Sequence, residues 1–565
     1  MIHQKKWIYK EHNENKVKAI CQEYGVLRLA AAVMQNRPDI LCEVKTASPE
    51  KALYDPFMLK DSDKAVRRIN SAIENKEHIT IYGDYDADGV TSIVILYMYL
   101  KERGANVDYY IPDRVDEGYG INKGALESIR QNGTSLIITV DTGVTAVSEV
   151  EYAKKLGMDI IITDHHECKS SVPSCCAVID PKREDCSYPF TELAGVGVVF
   201  KLIAAISGGN DIKELIKKYM AFVCLGTVAD VVPLTDENRA FVTLGLERFS
   251  SSGNAGIDAL LESARLADRK ITAGSIGFIV APRINAAGRL GRAHKSVELF
   301  LCNDKERAVT IAGELSEENK RRQTMEQKIL DEAVSIIEQN RLHDQKVIVV
   351  SKDGWHHGVI GIVSSKITER YYRPSILIST DGDEGKGSGR SISGFNLFEA
   401  LTYTSDCLAQ FGGHSLAAGL SINPGRIGEF RSKINEYADS KLSGECLIPP
   451  VYIDAELKGG DINIDSVAGL SVLEPYGMGN PTPVFACTRA RISRIGVMSE
   501  GRHIKILVNK DGHLLEAIGF NFGYLSDELK MGDCVDIAGT LDINHYNDRD
   551  KVQMYIKDVK KSCHK

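Results

Sequence analysis

The sequence predicts an α/β protein with a doubly wound parallel sheet, a long bridging helix, a second α/β domain and a C-terminal β-barrel. Three observations support this prediction. Apolar strand-like runs alternate with helical stretches over the first 230 residues, which is typical of a parallel sheet. Residues 304–340 contain no proline and Gly313 as their one glycine, so a single long helix is expected there. After Pro450 the apolar residues recur at every second position, as in short half-buried strands.

The chain of 565 residues is too long for one hydrophobic core, so several domains are expected. The pattern changes divide it into an N-terminal segment and four further parts: 1–45, 46–303 (the parallel-sheet domain), 304–342 (the bridging helix), 343–446 (the second α/β domain) and 447–565 (the barrel). The alternative for the helix is a surface helix packed along one domain.

The composition indicates a cytoplasmic protein. No apolar run is long enough for a membrane span, and Met1 precedes polar sequence without a signal peptide. The thirteen cysteines include no C-x-x-C pair, so reduced thiols are expected. Cys168, Cys175, Cys176 and Cys186 lie near two histidines, but their spacing does not match a zinc ribbon. The net charge of −8, from 69 basic and 77 acidic residues, leaves nucleic-acid binding open, because positive charge can be concentrated locally.

The segment D-Y-D-A-D-G at residues 84–89 follows an apolar strand and precedes a helix. Asp84, Asp86 and Asp88 therefore lie on a strand-to-helix turn, where open α/β sheets bind ligands. Closely spaced carboxylates remain ionised mainly when a cation lies among them. The alternatives are a solvated turn and a calcium loop. The calcium loop is excluded because its twelfth position, which requires glutamate, is Ile95.

Two further apolar strands also end in aspartate. Residues 136–140 lead to Asp141, and residues 160–163 lead to Asp164, His165 and His166. Asp230 follows the apolar residues 222–229 and needs a partner if it is buried. The carboxyl ends of parallel strands share one edge, so these side chains are expected to converge into a metal site. Mixed oxygen and imidazole ligands favour manganese over magnesium.

These motifs resemble those of the DHH phosphoesterase superfamily, in their order and in their context. The resemblance implies two Mn²⁺ or Mg²⁺ ions and two-metal hydrolysis of a phosphodiester. Its expected metal ligands are Asp84, Asp86, Asp88, Asp141, Asp164, His165 and Asp230. Asp164 is expected to support the fold as much as the metal. The expected catalytic residues are Asp84, Asp86, Asp88, Asp141, His165, His166 and Asp230, with His166 orienting or protonating the phosphate.

Substrate phosphates are expected to contact several basic and small residues. Arg114 follows the second strand, while Arg283 and Arg289 lie among small residues that suggest a phosphate-binding loop rather than a solvated basic face. Ser388 and Arg390, among alternate glycines, suggest an anion nest, with a flexible hairpin tip as the alternative. This part of the chain resembles the DHHA1 substrate-binding domain, whose glycine-glycine-histidine motif corresponds to Gly412, Gly413 and His414.

An OB-fold is the natural candidate for the barrel. The combination of these domains resembles that of the bacterial single-strand-specific DNA exonucleases of this superfamily. The resemblance implies 5′→3′ release of mononucleotides in DNA repair and recombination, with single-stranded DNA as substrate. It also implies a single-strand-binding protein and a RecQ-type helicase as partners. Two alternatives share the motifs: a phosphodiesterase for short RNA or cyclic dinucleotides, and a replication-fork scaffold without catalysis. The first has no need of the long helix and barrel, and the second predicts lost metal ligands, whereas all are present.

Overall fold

The computed structural model describes residues 5–45, 48–113, 117–118, 120–169, 171–208, 211–546 and 549–562. By contacts between residues the chain divides into two compact units. One comprises residues up to Ile8 together with Glu317–Val451, and the other comprises Tyr9–Ser316 with Tyr452–Lys565. Within the described ranges, no helix is both long and apolar enough to cross a membrane.

The N-terminal segment has four defined elements. They are β1 (Lys6–Tyr9), α1 (Glu14–Tyr24), α2 (Arg28–Met34) and α3 (Pro38–Lys45). Asn13 caps α1, because its side chain accepts the N–H groups of Asn15 and Lys16.

The parallel sheet of the first domain has five strands in the order β3-β2-β4-β5-β6, all parallel as predicted. Its strands are β2 (His78–Gly83), β3 (Asn106–Tyr110), β4 (Leu136–Val140), β5 (Asp159–Thr163) and β6 (Ala177–Ile179). The first helices of the domain are α4 (Ser62–Glu74), α5 (Ala87–Glu102), α6 (Lys123–Gln131) and α7 (Val147–Lys155). Strands and helices alternate in sequence, and the carboxyl ends of the strands share one edge.

A helical layer follows the sheet and completes the core on the α5 side. It comprises α8 (Gly195–Ile206), α9 (Ile212–Ala229), α10 (Asp236–Arg248), α11 (Ala255–Ser263), α12 (Ala273–Ser275), a π-helical turn (Ile276–Val280), α13 (Ala281–Arg289) and α14 (His294–Leu301). Apolar residues of α5, α8 and α9 form one buried cluster with one face of the sheet. Helix α8 is buried along its whole length and is apolar apart from Lys201, which pairs with Glu237.

The long helix α15 (Lys305–Gln339) forms over the predicted range. Its first turns contribute Ala308, Ile311 and Leu315 to the core of the first domain. Its last turns contribute Ile329 and Ala333 to a core of the second α/β domain. The helix therefore has apolar contacts at both ends, as its sequence pattern predicted.

The second α/β domain has the strand order β10-β11-β9-β8-β7. Its strands are β7 (Ile348–Asp353), β8 (Ser375–Asp381), β9 (Glu384–Arg390), β10 (Leu408–Gly413) and β11 (Ala417–Ile422), and its helices are α16 (His357–Tyr371), α17 (Leu397–Tyr403) and α18 (Ile427–Lys441). Strands β7 and β8 are parallel, whereas β9, β10 and β11 pair antiparallel. This sheet is therefore mixed.

The C-terminal domain is a closed barrel. After β12 (Pro450–Ile453), its elements are β13 (Ala455–Glu456), α19 (Ile464–Ala468), β14 (Phe485–Met498), β15 (His503–Lys510), β16 (His513–Gly519), α20 (Leu525–Glu528), β17 (Cys534–Tyr546) and β18 (Arg549–Lys561). Five strands follow the order β14-β15-β16-β18-β17, and β17 pairs again with β14. This closure leaves no open edge and confirms the predicted OB-like barrel.

The N-terminal helices share the core of the barrel rather than forming a separate segment. Val17, Ile20 and residues 29–34 belong to the same buried cluster as the apolar residues inside the barrel. The sequence between α19 and β14 connects this assembly to the first domain. Arg239 of α10 donates from Nη1 to the carbonyl of Leu473 at 3.0 Å and from Nη2 to that of Glu474 at 2.6 Å.

A second set of buried contacts also holds this connecting sequence. Asn480 donates from Nδ2 to the carbonyls of Leu473 at 2.7 Å and Pro475 at 2.9 Å, and it accepts a hydrogen bond from Arg37. Arg37 also donates to Asp454 at 3.1 Å. These side chains are buried, and the hydrogen bonds between them hold the connecting sequence in place.

Candidate metal centre

The turn after β2 carries three carboxylates, and main-chain N–H groups orient two of them, Asp86 and Asp88. Asp86 is the N-cap of α5, and its side chain accepts the N–H groups of Asp88 at 2.9 Å and Gly89 at 3.1 Å. Asp88 is fully buried and accepts the N–H groups of Gly195 at 2.7 Å and Val196 at 2.9 Å, at the start of α8. A carboxylate at a helix N-terminus is stabilised by the helix dipole.

Asp141 follows β4 and lies beside this turn. Its backbone has a φ of +58°, a left-handed conformation that aspartate tolerates better than most residues. A Cβ atom on Gly195 would lie 2.7 Å from Asp141 Cβ, so only glycine allows α8 to approach this closely. Ligand oxygens of Asp84, Asp86 and Asp141 lie within 4.8 Å of one another. They form the first ligand group.

A second ligand group lies next to the first. It comprises Asp88, His165 and Asp230, whose ligand atoms also lie within 4.8 Å of one another. His165 Nε2 lies 3.1 Å from Asp141 Oδ1, 3.5 Å from Asp230 Oδ2 and 3.9 Å from Asp88 Oδ2. Asp141 therefore belongs to the first group and also lies next to the second. Asp230 reaches the group from the C-terminal end of α9.

Burial and like charge strongly perturb these groups. Burial, followed by repulsion from Asp86, raises the pKa of Asp88 to about 7. Burial, then repulsion from Asp88 and Asp86, raises the pKa of Asp230 to about 9. The same two causes raise the pKa of Asp141 well above its usual value. Burial and the neighbouring His166 lower the pKa of His165 to about 3. A cation among these ligands would favour ionised carboxylates and neutral imidazole.

The ligand set fits divalent cations. Asp141 Oδ1 and His165 Nε2 are buried, and neither atom has a hydrogen-bond partner among the described residues. Unsatisfied buried ligand atoms are costly unless a further partner binds them. Carboxylate oxygens with one imidazole nitrogen suit Mn²⁺ or Mg²⁺ rather than a thiolate-preferring metal. Every described cysteine is a free thiol, and none lies in these two groups.

Asp164 was predicted to be a metal ligand, but it lies outside both ligand groups. Its Oδ2 accepts the N–H of Val144 at 2.8 Å, and its Oδ1 accepts the N–H of His165 at 2.8 Å. Oδ1 also lies 2.7 Å from Nδ1 of His166. Although burial opposes it, the hydrogen bond and charge of His166 lower the pKa of Asp164. Because both oxygens are engaged in this way, Asp164 orients the two histidines.

His166 lies at the edge of the site. One of its ring nitrogens lies within 4.8 Å of ligand atoms of Asp141 and His165. Burial acts to lower its pKa, but the hydrogen bond and charge of Asp164 outweigh it and raise the pKa of His166 to about 9. The side chain is 43% exposed, so it can reach a ligand outside the buried ligand groups.

Sequence reasoning missed several residues around this site. Asn285 of α13 accepts the N–H of Ala87 at 2.8 Å and so supports the turn that carries Asp86 and Asp88. Asp180 follows β6, and burial followed by repulsion from Asp164 raises its pKa to about 7. The sequence could have indicated Asp180, because it follows a short apolar strand as Asp141 and Asp164 do.

The predicted phosphate-binding loop around Arg283 and Arg289 is a helix instead. Pro282 lies in the first turn of α13, and the small residues around the two arginines continue as helix. Arg283 donates from Nε to Ser316 Oγ at 3.2 Å and also to the carbonyl of Ile279. Gly288 packs against the backbone of Tyr85, since a Cβ there would lie 2.3 Å from its carbonyl oxygen. Arg114 lies outside the described residues.

The predicted anion nest around Ser388 and Arg390 is strand β9, between β8 and β11. Its N–H groups belong to a sheet with a neighbour on each side, so they cannot form a nest. Cβ atoms on Gly385, Gly387 and Gly389 would collide with neighbouring atoms at 2.8–2.9 Å, so these glycines allow close packing.

Arg390 itself remains suited to an anion. Its Nη1 donates to Ser388 Oγ at 3.3 Å and to the carbonyl of Gly389 at 2.8 Å. Among the described residues no carboxylate forms an ion pair with it. Burial lowers the pKa of Arg390. Gly412, Gly413 and His414 lie exposed at the end of β10 and in the turn that follows.

Comparisons with known proteins agree with this architecture. Family models match the DHH family N-terminal domain at residues 78–227, the DHHA1 domain at 344–440 and the RecJ OB domain at 453–558. The single-stranded-DNA-specific exonuclease RecJ of Bacillus subtilis is 41% identical over 560 residues, covering 98% of this chain and 70% of that protein. The chain belongs to the RecJ family. This family assignment confirms the resemblance and the fold class expected from the sequence.

Solved RecJ structures match along almost the whole chain. RecJ from Thermus thermophilus in complex with Mn²⁺ has a TM-score of 0.85 and 28% identity, and covers 99% of this chain and 80% of that one. RecJ from the same organism in complex with Mg²⁺ has a TM-score of 0.76 and 27% identity, and covers 99% and 79%. The RecJ fold therefore extends from the N-terminal helices to the barrel.

Proposed function

We propose that this chain is a divalent-metal-dependent exonuclease that hydrolyses single-stranded DNA 5′→3′ to mononucleotides in DNA repair and recombination. The observation that carries the proposal is the pair of adjacent ligand groups, with Asp141 positioned in one and 3.1 Å from His165 of the other. RecJ relatives are named as exonucleases specific for single-stranded DNA, and RecJ structures hold Mn²⁺ or Mg²⁺.

Six residues would hold two cations: Asp84, Asp86, Asp88, Asp141, His165 and Asp230. When bound, such a pair supplies charge neutralisation of the phosphate and lowers the pKa of attacking water. The protein contributes the fixed positions of the ligands. Asp88 is held by two N–H groups of α8, Asp86 by two of α5, and the close approach of Gly195 fixes the distance between Asp88 and Asp141.

His166 would orient the scissile phosphate or donate a proton to it. Its Nδ1 lies 2.7 Å from Asp164 Oδ1, and we assign this role to its Nε2. Asp164 is a positioning residue, because it fixes both histidines without joining a ligand group. The main-chain N–H of Val144 in turn fixes Asp164.

Arg390 and Ser388 would recognise the 5′ end through its terminal phosphate, since a guanidinium without a carboxylate partner is well suited to that group. Arg114, Arg283, Arg289, Gly412, Gly413 and His414 remain proposed contacts of the substrate backbone. The barrel would extend the contact with the strand, as OB-folds do. A single-strand-binding protein and a RecQ-type helicase remain proposed partners, and the cytoplasm the proposed location. The phosphodiesterase and scaffold alternatives gain no support from any described feature.

The test is digestion of strands labelled at either end, with Mn²⁺, with Mg²⁺ and with chelator. Wild type should degrade single strands from the 5′ end, leave duplex intact and lose activity in chelator. Asp141→Ala should lower kcat by at least about a hundredfold, since outer partners of metal ligands alone contribute about 10–100-fold. The control is Asp258→Ala, an exposed aspartate in α11. Full activity of Asp141→Ala at saturating Mn²⁺ would overturn the assignment.

A further inference from the structure

Three large apolar side chains near the metal centre are exposed to solvent. Phe278 is 87% exposed, Val231 61% and Met478 56%. Phe278 is the most exposed of the large hydrophobic side chains in the described part of the chain. An aromatic ring in that position gains little from the core and is available to a partner outside the fold.

These side chains come from three segments that meet beside Asp230. Val231 follows Asp230 directly. Phe278 follows Gly277, whose added Cβ would lie 3.5 Å from Val228 Cγ1. The carbonyl of Met478 accepts the N–H of Leu234 at 2.7 Å. The apolar surface therefore borders a residue of the second ligand group.

Phe278 is also joined to the first ligand group by a continuous helical run. The π-helical turn that carries Phe278 leads directly into α13, whose Asn285 accepts the N–H of Ala87. Seven residues separate Phe278 from Asn285, which is two helical turns and about 10 Å along the axis. The ring therefore lies on the same helical run as a residue that supports the turn of Asp86 and Asp88.

A hollow of about 770 Å³ opens next to the ring. Its lining includes Phe278, Tyr476, Arg269 and Lys270. The hollow is large enough for part of a nucleotide chain. Arg269 and Lys270 can contact a phosphodiester backbone there, although Glu247 and Glu474 also line it. Lys270 forms an ion pair with Glu474 at 3.0 Å, an exposed contact that costs little to exchange for a phosphate.

We infer that Phe278 is a stacking platform for an unpaired base of the substrate strand, beside the segment that carries Asp230. This inference rests on the proposed function and adds a residue to its substrate path. Single-stranded nucleic acid binds proteins through stacking on exposed aromatic rings combined with cationic side chains, and both occur here. A duplex has no unpaired base to offer, so the platform would also favour single strands.

The test uses 5′-phosphorylated oligo(dT) strands with one abasic residue, moved from position 1 to position 6. The full-length wild type, Phe278→Ala, Phe278→Trp and the control Phe57→Ala are compared. Phe57 is 48% exposed in the same domain and lies outside every site described above. Kd is measured in chelator, and kcat/KM is measured in Mn²⁺. Because Phe278 is exposed, its truncation leaves the core unchanged.

In wild type we expect one abasic position to weaken binding by about tenfold, the size of one stacking contact. Phe278→Ala should bind intact strands about tenfold more weakly and lose sensitivity at that position alone. Phe278→Trp should keep both properties, and Phe57→Ala should behave as wild type.

Equal binding of intact strands by wild type and Phe278→Ala would overturn the inference, as would an unchanged abasic profile. The second result would indicate that the ring is a docking face for another protein. The Kd measurements in chelator require no catalysis. If wild type binds the strands but does not hydrolyse them in Mn²⁺, the proposed function is refuted while the stacking inference can still be judged.

Discussion

His165 Nε2 lies 3.1 Å from Asp141 Oδ1, although the two residues follow different strands of the sheet. This contact joins the ligand group of Asp84 and Asp86 to that of Asp88 and Asp230. Neither atom has a hydrogen-bond partner among the described residues, so both are available to bind cations. The parallel register of β4 and β5 brings the two strand ends together.

Asp164→Ala should weaken Mn²⁺ binding and activity by about 10–100-fold, the usual effect of losing a partner that orients a metal ligand. The variant removes the acceptor of the Val144 and His165 N–H groups and of His166 Nδ1. Asp164→Asn should recover part of the loss, because its amide oxygen can still accept. Titration with Mn²⁺ and the pH profile of kcat measure the effect. Equal affinity in all three proteins would contradict the positioning role.

Gly195→Ala should abolish Mn²⁺ binding while the protein remains folded. The added methyl would lie 2.7 Å from Asp141 Cβ and would also displace the N–H that Asp88 accepts. The matched control is Gly428→Ala near the start of α18, where no atom lies within 4 Å of the new Cβ. The control should leave stability unchanged or raise it by up to about 1 kcal/mol. Calorimetric Mn²⁺ titrations distinguish the two variants.

Without metal, the free energy of unfolding should fall as the pH rises from 7 to 9. The folded state raises the pKa of Asp230 to about 9, that of Asp88 to about 7 and that of His166 to about 9. It therefore binds more protons than the unfolded chain in this range, and stability decreases with pH. Saturating Mn²⁺ should reduce the slope, because the cation stabilises the ionised carboxylates. Denaturant unfolding at pH 7, 8 and 9, with chelator and with Mn²⁺, measures the two slopes.

Asp230→Asn provides the control for this pH dependence. It removes one titrating group, so its metal-free slope should be shallower than that of wild type. A metal-free protein whose stability rises between pH 7 and 9 would contradict the assignment of these raised pKa values.

Arg390→Ala should lose most of the preference for 5′-phosphorylated over 5′-hydroxyl strands while it keeps Mn²⁺ affinity. Arg390 has no ion-pair partner among the described residues, and Ser388 accepts one of its N–H groups. Arg390→Lys should retain only part of the preference, because an ammonium lacks the guanidinium fork. Digestion of the two strand types in competition measures this preference. An equal preference in wild type and Arg390→Ala would show that Arg390 does not bind the end.

The first domain could be predicted closely because its signals are local. Apolar β-branched runs between polar turns define β2, β4 and β5, and parallel geometry then brings Asp84, Asp141 and His165 to one edge. A supporting role for Asp164 was expected, but its partners could not be predicted, since they depend on the turn geometry after β5. The nature of β9 was also missed, because its glycines accommodate side chains such as Leu420 from another strand. The shared core of the N-terminal helices and the barrel depends on contacts more than 400 residues apart.

The bonds from Arg239 to the carbonyls of Leu473 and Glu474, and from Arg37 to Asn480, join parts of the chain that are distant in sequence. The barrel consequently cannot be exchanged alone for that of another protein, although its strands are contiguous in sequence. A chimera that replaces only the barrel strands would leave Val17, Ile20 and α2 facing a foreign interior. Recombination between homologues would preserve this fold only when the first 45 residues and the last hundred are inherited from the same parent.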